Sequence, residues 1–60
     1  MPAYRLYRYD SSGMRIEEAH WIAADNDEEA IQYARDKKFS TKCEVWDRAQ
    51  LVANIPAHQA

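Results

Sequence analysis

Cys43, His20 and His58 are the side chains here whose chemistry extends beyond simple binding. A thiolate beside an imidazole makes a nucleophile, and Cys43 with His20 is the pair the chain offers for that role. No third residue is evident to orient the imidazole. Cys43 also falls at an inward strand position, where a free cysteine packs as a small apolar group. A buried, inert thiol is therefore the expected reading. His20 and His58 lack the spacing and the companion ligands of a zinc site, so each reads as a surface histidine. Asp25, Asp27, Glu28 and Glu29 form a run of oxygen donors. A calcium loop needs alternating ligands, a central glycine and a final bidentate glutamate, which this run does not supply. Helix capping accounts for all four residues. Neither a glycine-rich phosphate loop nor a recognisable pair of acid/base carboxylates occurs. The expectation is a protein without catalytic residues, metal or cofactor.

The elements that position these residues follow from local chemistry. Tyr4-Arg5-Leu6-Tyr7-Arg8-Tyr9 is rich in aromatics and alternates in part, which predicts a strand. Asp10-Ser11-Ser12-Gly13 supplies turn chemistry, with the only glycine of the chain free to take positive φ. Residues 14–23 form the returning strand. Ile16 and Ile22 share one parity and Ala19 and Trp21 the other, which would send Glu18 and His20 inward with the isoleucines. A bulge near Glu17-Glu18, or a strand that overhangs its partner, removes the conflict.

The helix start is the clearest local signal. Asn26 caps the first turn, with Glu29 placed to reach back as in a capping box; Asp25 with Glu28 is the alternative register. Acidic residues 27–29 and basic Lys37 and Lys38 suit the two ends of the helix dipole. The helix is expected from about Asp27 to Lys38, with Ala30, Ile31, Tyr33 and Ala34 facing inward. Phe39 should tuck under its end. Cys43-Glu44-Val45-Trp46 forms a third strand, Asp47 to Gln50 a four-residue turn, and Leu51 to Ile55 a fourth strand ended by Pro56. Residues 57–60 read as a frayed tail.

The expected fold class is α+β, in the order β-β-α-β-β: a four-stranded antiparallel or mixed sheet with one helix on one face. The predicted strand order is 2-1-3-4 with a right-handed helical crossover. The helix side should collect Tyr4, Leu6, Ile16, Ile22, Ala30, Ile31, Ala34, Cys43, Val45, Leu51, Ala53 and Ile55. Arg5, Tyr7, Tyr9, Trp21, Trp46 and Val52 should lie on the opposite face, as the candidate interface residues.

Sixty residues make a single domain spanning 1–60. A chain of this size buries only about 60% of the surface its unfolded form exposes, so association is a natural source of added stability. With one cysteine an intrachain disulfide is impossible. The start of the chain, Met1 to Arg5, lacks the apolar core of a signal peptide, and no apolar run approaches the roughly 20 residues of a membrane span. The lone thiol adds to the expectation of a cytoplasmic location, away from membranes. Charge is segmental: residues 1–15 carry +2, residues 16–34 carry −6 and residues 35–60 carry +2, for a net of −2.

Tyr4-Arg5-Leu6-Tyr7, Asp10 to Gly13, Ala24 to Ile31, Ala34-Arg35, Cys43-Glu44-Val45-Trp46 and Leu51-Val52-Ala53 together resemble a group of very short, uncharacterised bacterial proteins of the kind common in alphaproteobacteria. The resemblance covers most of the chain and implies a bacterial, cytoplasmic protein, and it brings no activity with it. The chain departs from the group at the second turn, where Asp47-Arg48-Ala49-Gln50 stands in place of a turn containing glycine.

Two functions from different classes fit these features. The first is an interaction or structural module that forms a homodimer, or meets another protein, through the aromatic face or a sheet edge. Trp21 and Trp46 are its anchors, with Arg5 and Arg15 at the rim. The blander alternative is that both tryptophans only cover their own sheet as cross-strand pairs. The second function is single-stranded nucleic-acid binding, with Tyr7, Tyr9 or Trp46 stacking bases and Arg5, Arg8 and Arg15 meeting phosphates. The acidic net charge disfavours it.

Overall fold

Alternation in the first hairpin builds half of the sheet. The computed structural model describes residues 3–58. Strand β1 (Ala3–Tyr9) pairs antiparallel with β2 (Ile16–Ala23) on one side and with β3 (Cys43–Asp47) on the other. Strand β4 (Gln50–Ile55) pairs antiparallel with β3, giving the order β2-β1-β3-β4. Helix α1 (Asp27–Asp36) links β2 to β3 and packs on one face of the sheet. The α+β class, the element order and the strand order agree with expectation.

Both hairpin turns are built from particular residues. Asp10 Oδ1 accepts from the Ser12 and Gly13 amides, each at 3.1 Å, and from Ser12 Oγ at 2.6 Å. Gly13 takes φ 73, the left-handed region that other residues enter at a cost. At the second turn Arg48 takes φ 59 between the paired residues Asp47 and Gln50. Glycine is the ordinary occupant of such a position in a two-residue hairpin loop.

Asn26 is the N-cap: its side chain accepts from the Glu29 amide at 2.9 Å. Glu29 does not return the bond to Asn26, and its carboxylate accepts from the Asp25 amide at 3.4 Å. Tyr4 donates its hydroxyl to Asp27 Oδ1 at 2.7 Å, tying β1 to the first turn of α1. The neighbouring carboxylate and burial push the Tyr4 phenol up to about 12. The helix ends at Asp36, earlier than Lys38, because Lys38 turns to φ 52 and donates its amide to the Arg35 carbonyl at 3.1 Å.

The core comprises Tyr4, Leu6, Ile22, Ala24, Ala30, Ala34, Cys43, Val45 and Ile55, with Ile31, Phe39 and Val52 packed against it. Four expected placements are corrected. Ile16 and Leu51 were expected on the helix side, and both are exposed. In each case an edge strand carries one extra residue. Arg8 faces Glu18 and Tyr9 faces Ile16, leaving Glu17 as a bulge in β2. Val45 faces Ala53 and Trp46 faces Leu51, leaving Val52 as a bulge in β4. One extra residue reverses the parity beyond it, so Ile16 and Leu51 move to the open face while Val52 packs on the core. Tyr33, expected inward, is 41% exposed, and Lys37 Nζ lies 5.0 Å from its ring centroid. The tail expected at 57–60 is anchored where it is described: the His58 amide donates to the Phe39 carbonyl at 2.9 Å. Gln59 and Ala60 lie outside the described residues, as do Met1 and Pro2 of the leader reading.

Candidate functional site

The sheet face away from α1 collects its side chains in rows across the strands. The first row is Trp21, Arg5, Trp46 and Leu51, and the second is Ala19, Tyr7, Glu44 and Asn54. Tyr9 stands in the third, facing Ile16. Alternation explains these placements up to the bulges, since every second residue of β1 and β3 projects to this side.

The face is connected by polar and aromatic contacts. The Arg5 guanidinium stacks over the Trp21 ring at 4.4 Å and lies 5.9 Å from the Tyr7 centroid. Its Nη1 donates to the Tyr7 hydroxyl at 3.0 Å. Tyr7 meets Trp46 edge to face, with centroids 6.5 Å apart and an interplanar angle of 77°. Trp46 Nε1 and the Tyr9 hydroxyl both donate to Glu44 Oε1, at 3.1 and 3.0 Å. That acceptance raises the Tyr9 phenol above its ordinary range. Lys42 Nζ closes the series 4.5 Å from the Tyr9 centroid. Trp21 is 66% exposed, and Ile16 and Leu51 flank the face as further exposed apolar groups.

Five of the six candidate interface residues, Arg5, Tyr7, Tyr9, Trp21 and Trp46, thus share one surface. Val52, the sixth, does not: it packs against the core. The alternation reading missed Ile16 and Leu51 for the reason given above. It also passed over Glu44 as the acceptor that orders Trp46 and Tyr9. The signal was present, since Glu44 alternates with two inward residues of β3.

Arg8, a candidate phosphate contact, is on the opposite face. Its side chain is 15% exposed, pairs with both Glu17 and Glu18, and lies 5.7 Å from the Phe39 centroid. Glu18 in turn meets His20 Nε2 at 2.8 Å. Arg8 first, and His20 second, hold the Glu18 carboxyl below the usual range. Glu18 and His20 have the parity of Ile22, as expected, and stay exposed because β2 is an edge strand.

The candidate nucleophile is not assembled. Cys43 is buried in the core, with its thiol pushed up by burial, and His20 is engaged with Glu18. His58 is the histidine that shares a cleft lining with Cys43. Among the described residues no group of three or more His, Cys, Asp and Glu gathers to hold a metal ion. Among the described residues no helix is long and apolar enough to cross a membrane.

Fold and surface define a small β-β-α-β-β domain with one sheet face covered by a helix and the other left bare and aromatic. Compared with protein-family models, with curated proteins and with solved structures, the chain matches none at a significant level.

Proposed function

We propose that this protein is a non-catalytic interaction module that pairs with a second copy of itself through the open aromatic face. The observation that carries this reading is the exposure of Trp21, Ile16 and Leu51 around the Tyr7–Trp46 pair in so short a chain. Exposed aromatic and aliphatic groups gathered on one face in this way mark interaction sites. Its residue types, Trp, Tyr and Arg, are those that dominate interface energetics.

Size and charge argue for a second copy as the occupant. The broad side of the molecule measures 32 × 23 Å. A second copy, having the same outline, is large enough to cover this face whole. The face also carries both signs of charge, Arg5 and Lys42 against Glu44. A self-complementary arrangement is what a two-fold interface requires. Glu44 in the second row weighs against a nucleic-acid strand, whose phosphates it would repel.

Light scattering behind a sizing column, at low and high salt with nucleic-acid absorbance recorded, tests the proposal. The expected result is twice the 7.0 kDa of one chain at both salt concentrations, without co-purifying nucleic acid. A monomer at the highest soluble concentration overturns it. Nucleic acid that elutes with the protein and is released by salt overturns it in favour of a single-strand binder.

A further inference from the structure

On the helix side of the sheet, a cleft of about 370 Å³ opens beside the last turn of α1. Ala34, Cys43 and Ile55, all buried, contribute to its lining together with Phe39 and Pro56. The polar lining is uniformly neutral or basic: Arg35, Lys38, Thr41 and His58, with no carboxylate among them. Ion pairs among the described residues involve Arg8 and His20, so neither Arg35 nor Lys38 is neutralised by one. Thr41 Oγ1 is buried without a hydrogen-bond partner. Lys38 also sits at φ 52, where a helix ordinarily ends on glycine. A lysine there puts a cation at the cleft despite the backbone cost.

We propose that this cleft binds a small organic carboxylate carrying an apolar body. The apolar part lies along Ala34, Phe39 and Ile55. The carboxylate meets the charges of Arg35 and Lys38 at the edge of the cleft. The basic lining selects an anion, and the apolar wall selects a ligand with a hydrocarbon or aromatic portion. The volume sits near the lower end of the roughly 300–1,000 Å³ of small-molecule sites, which limits the ligand to a modest size. The site lies on the side of the sheet opposite the aromatic face and does not depend on self-association.

Isothermal titration of the intact chain with sodium octanoate, and in parallel with octan-1-ol as the uncharged equivalent, tests the proposal. Octanoate should bind saturably at one site per chain and octanol far more weakly. The double variant Arg35→Gln, Lys38→Gln should weaken octanoate by about tenfold or more, the size of one lost charge-assisted contact. Both side chains are exposed, so the variant should keep its melting temperature. The absence of saturable heat overturns the proposal. So does equal binding of octanol, full binding by the double variant, or loss of binding on Trp21→Ala, which would move the ligand to the open face.

Discussion

Replacing Trp21 by alanine removes the most prominent apolar group of the open face while asking little of the fold. Trp21 is 66% exposed, and within the chain it serves chiefly as the stacking partner of Arg5 at 4.4 Å. Losing an exposed stack of this kind costs only about 0.5–1 kcal/mol. An aromatic side chain offers about 150–250 Å², so roughly 100–165 Å² of Trp21 awaits cover by a partner. At about 25 cal/mol per Å², covering it contributes ~2.5–4 kcal/mol per copy. A two-fold interface contains the residue twice, and association never realises the full area term. If half of the combined value is realised, about 3 kcal/mol, the dimer dissociation constant rises roughly 100-fold. Sedimentation equilibrium over a dilution series, with circular dichroism to verify the fold, reads this directly. A folded Trp21→Ala protein whose dissociation constant stays within about threefold of the parent, the scatter of an ordinary surface substitution, refutes self-association through this face.

Three further outcomes follow from local geometry. Arg48→Gly should stabilise the protein by ~1 kcal/mol, because Arg48 holds φ 59 where a side chain is penalised; urea unfolding measures it, and a lower midpoint would contradict the turn geometry. Tyr4 has a folded pKa raised to about 12 by the Asp27 bond, so the parent should have constant stability from this group below pH 10 and lose it as the pH rises toward 12. Tyr4→Phe should flatten that alkaline loss in denaturation curves recorded across the range, and an unchanged slope would place its origin elsewhere. Asp10 is depressed, chiefly by its bond from Ser12 with backbone amides adding to it. Its contribution should be present above the ordinary carboxylate range and vanish as the pH falls through the lowered value, so Asp10→Ala should destabilise at pH 7 and make no difference in strong acid. Equal destabilisation at both pH values would show that the carboxylate charge is not what holds the turn.

Much of this architecture was legible because its signals are local. Asn26 with Glu29, the Asp10–Gly13 turn and the alternation of Tyr4 with Arg5 each depend on residues a few positions apart. Strand order was not legible in the same sense: a helical crossover between β2 and β3 is compatible with several orders, of which 2-1-3-4 is the one found. The faces of Ile16, Leu51 and Val52 were not legible. Each depends on a one-residue bulge set by cross-strand packing, and neither bulge is marked by a glycine or proline. Tyr33 could not be assigned from helical spacing alone, since it lies at the margin of a narrow alanine face. The candidate surface was read in outline, five residues of six. The Glu44 link within it depends on which side chains meet across β1 and β3, which no single segment encodes.

The two bulges have a further consequence for what the edges of the sheet can recruit. Both lie on the outer strands, β2 and β4, where an unprotected backbone edge would otherwise recruit further strands without limit. Extra twist at Glu17 and Val52 spoils each edge as a template. Lateral polymerisation is therefore discouraged at the rims. The two outer strands are thus poor templates for extension into fibrils.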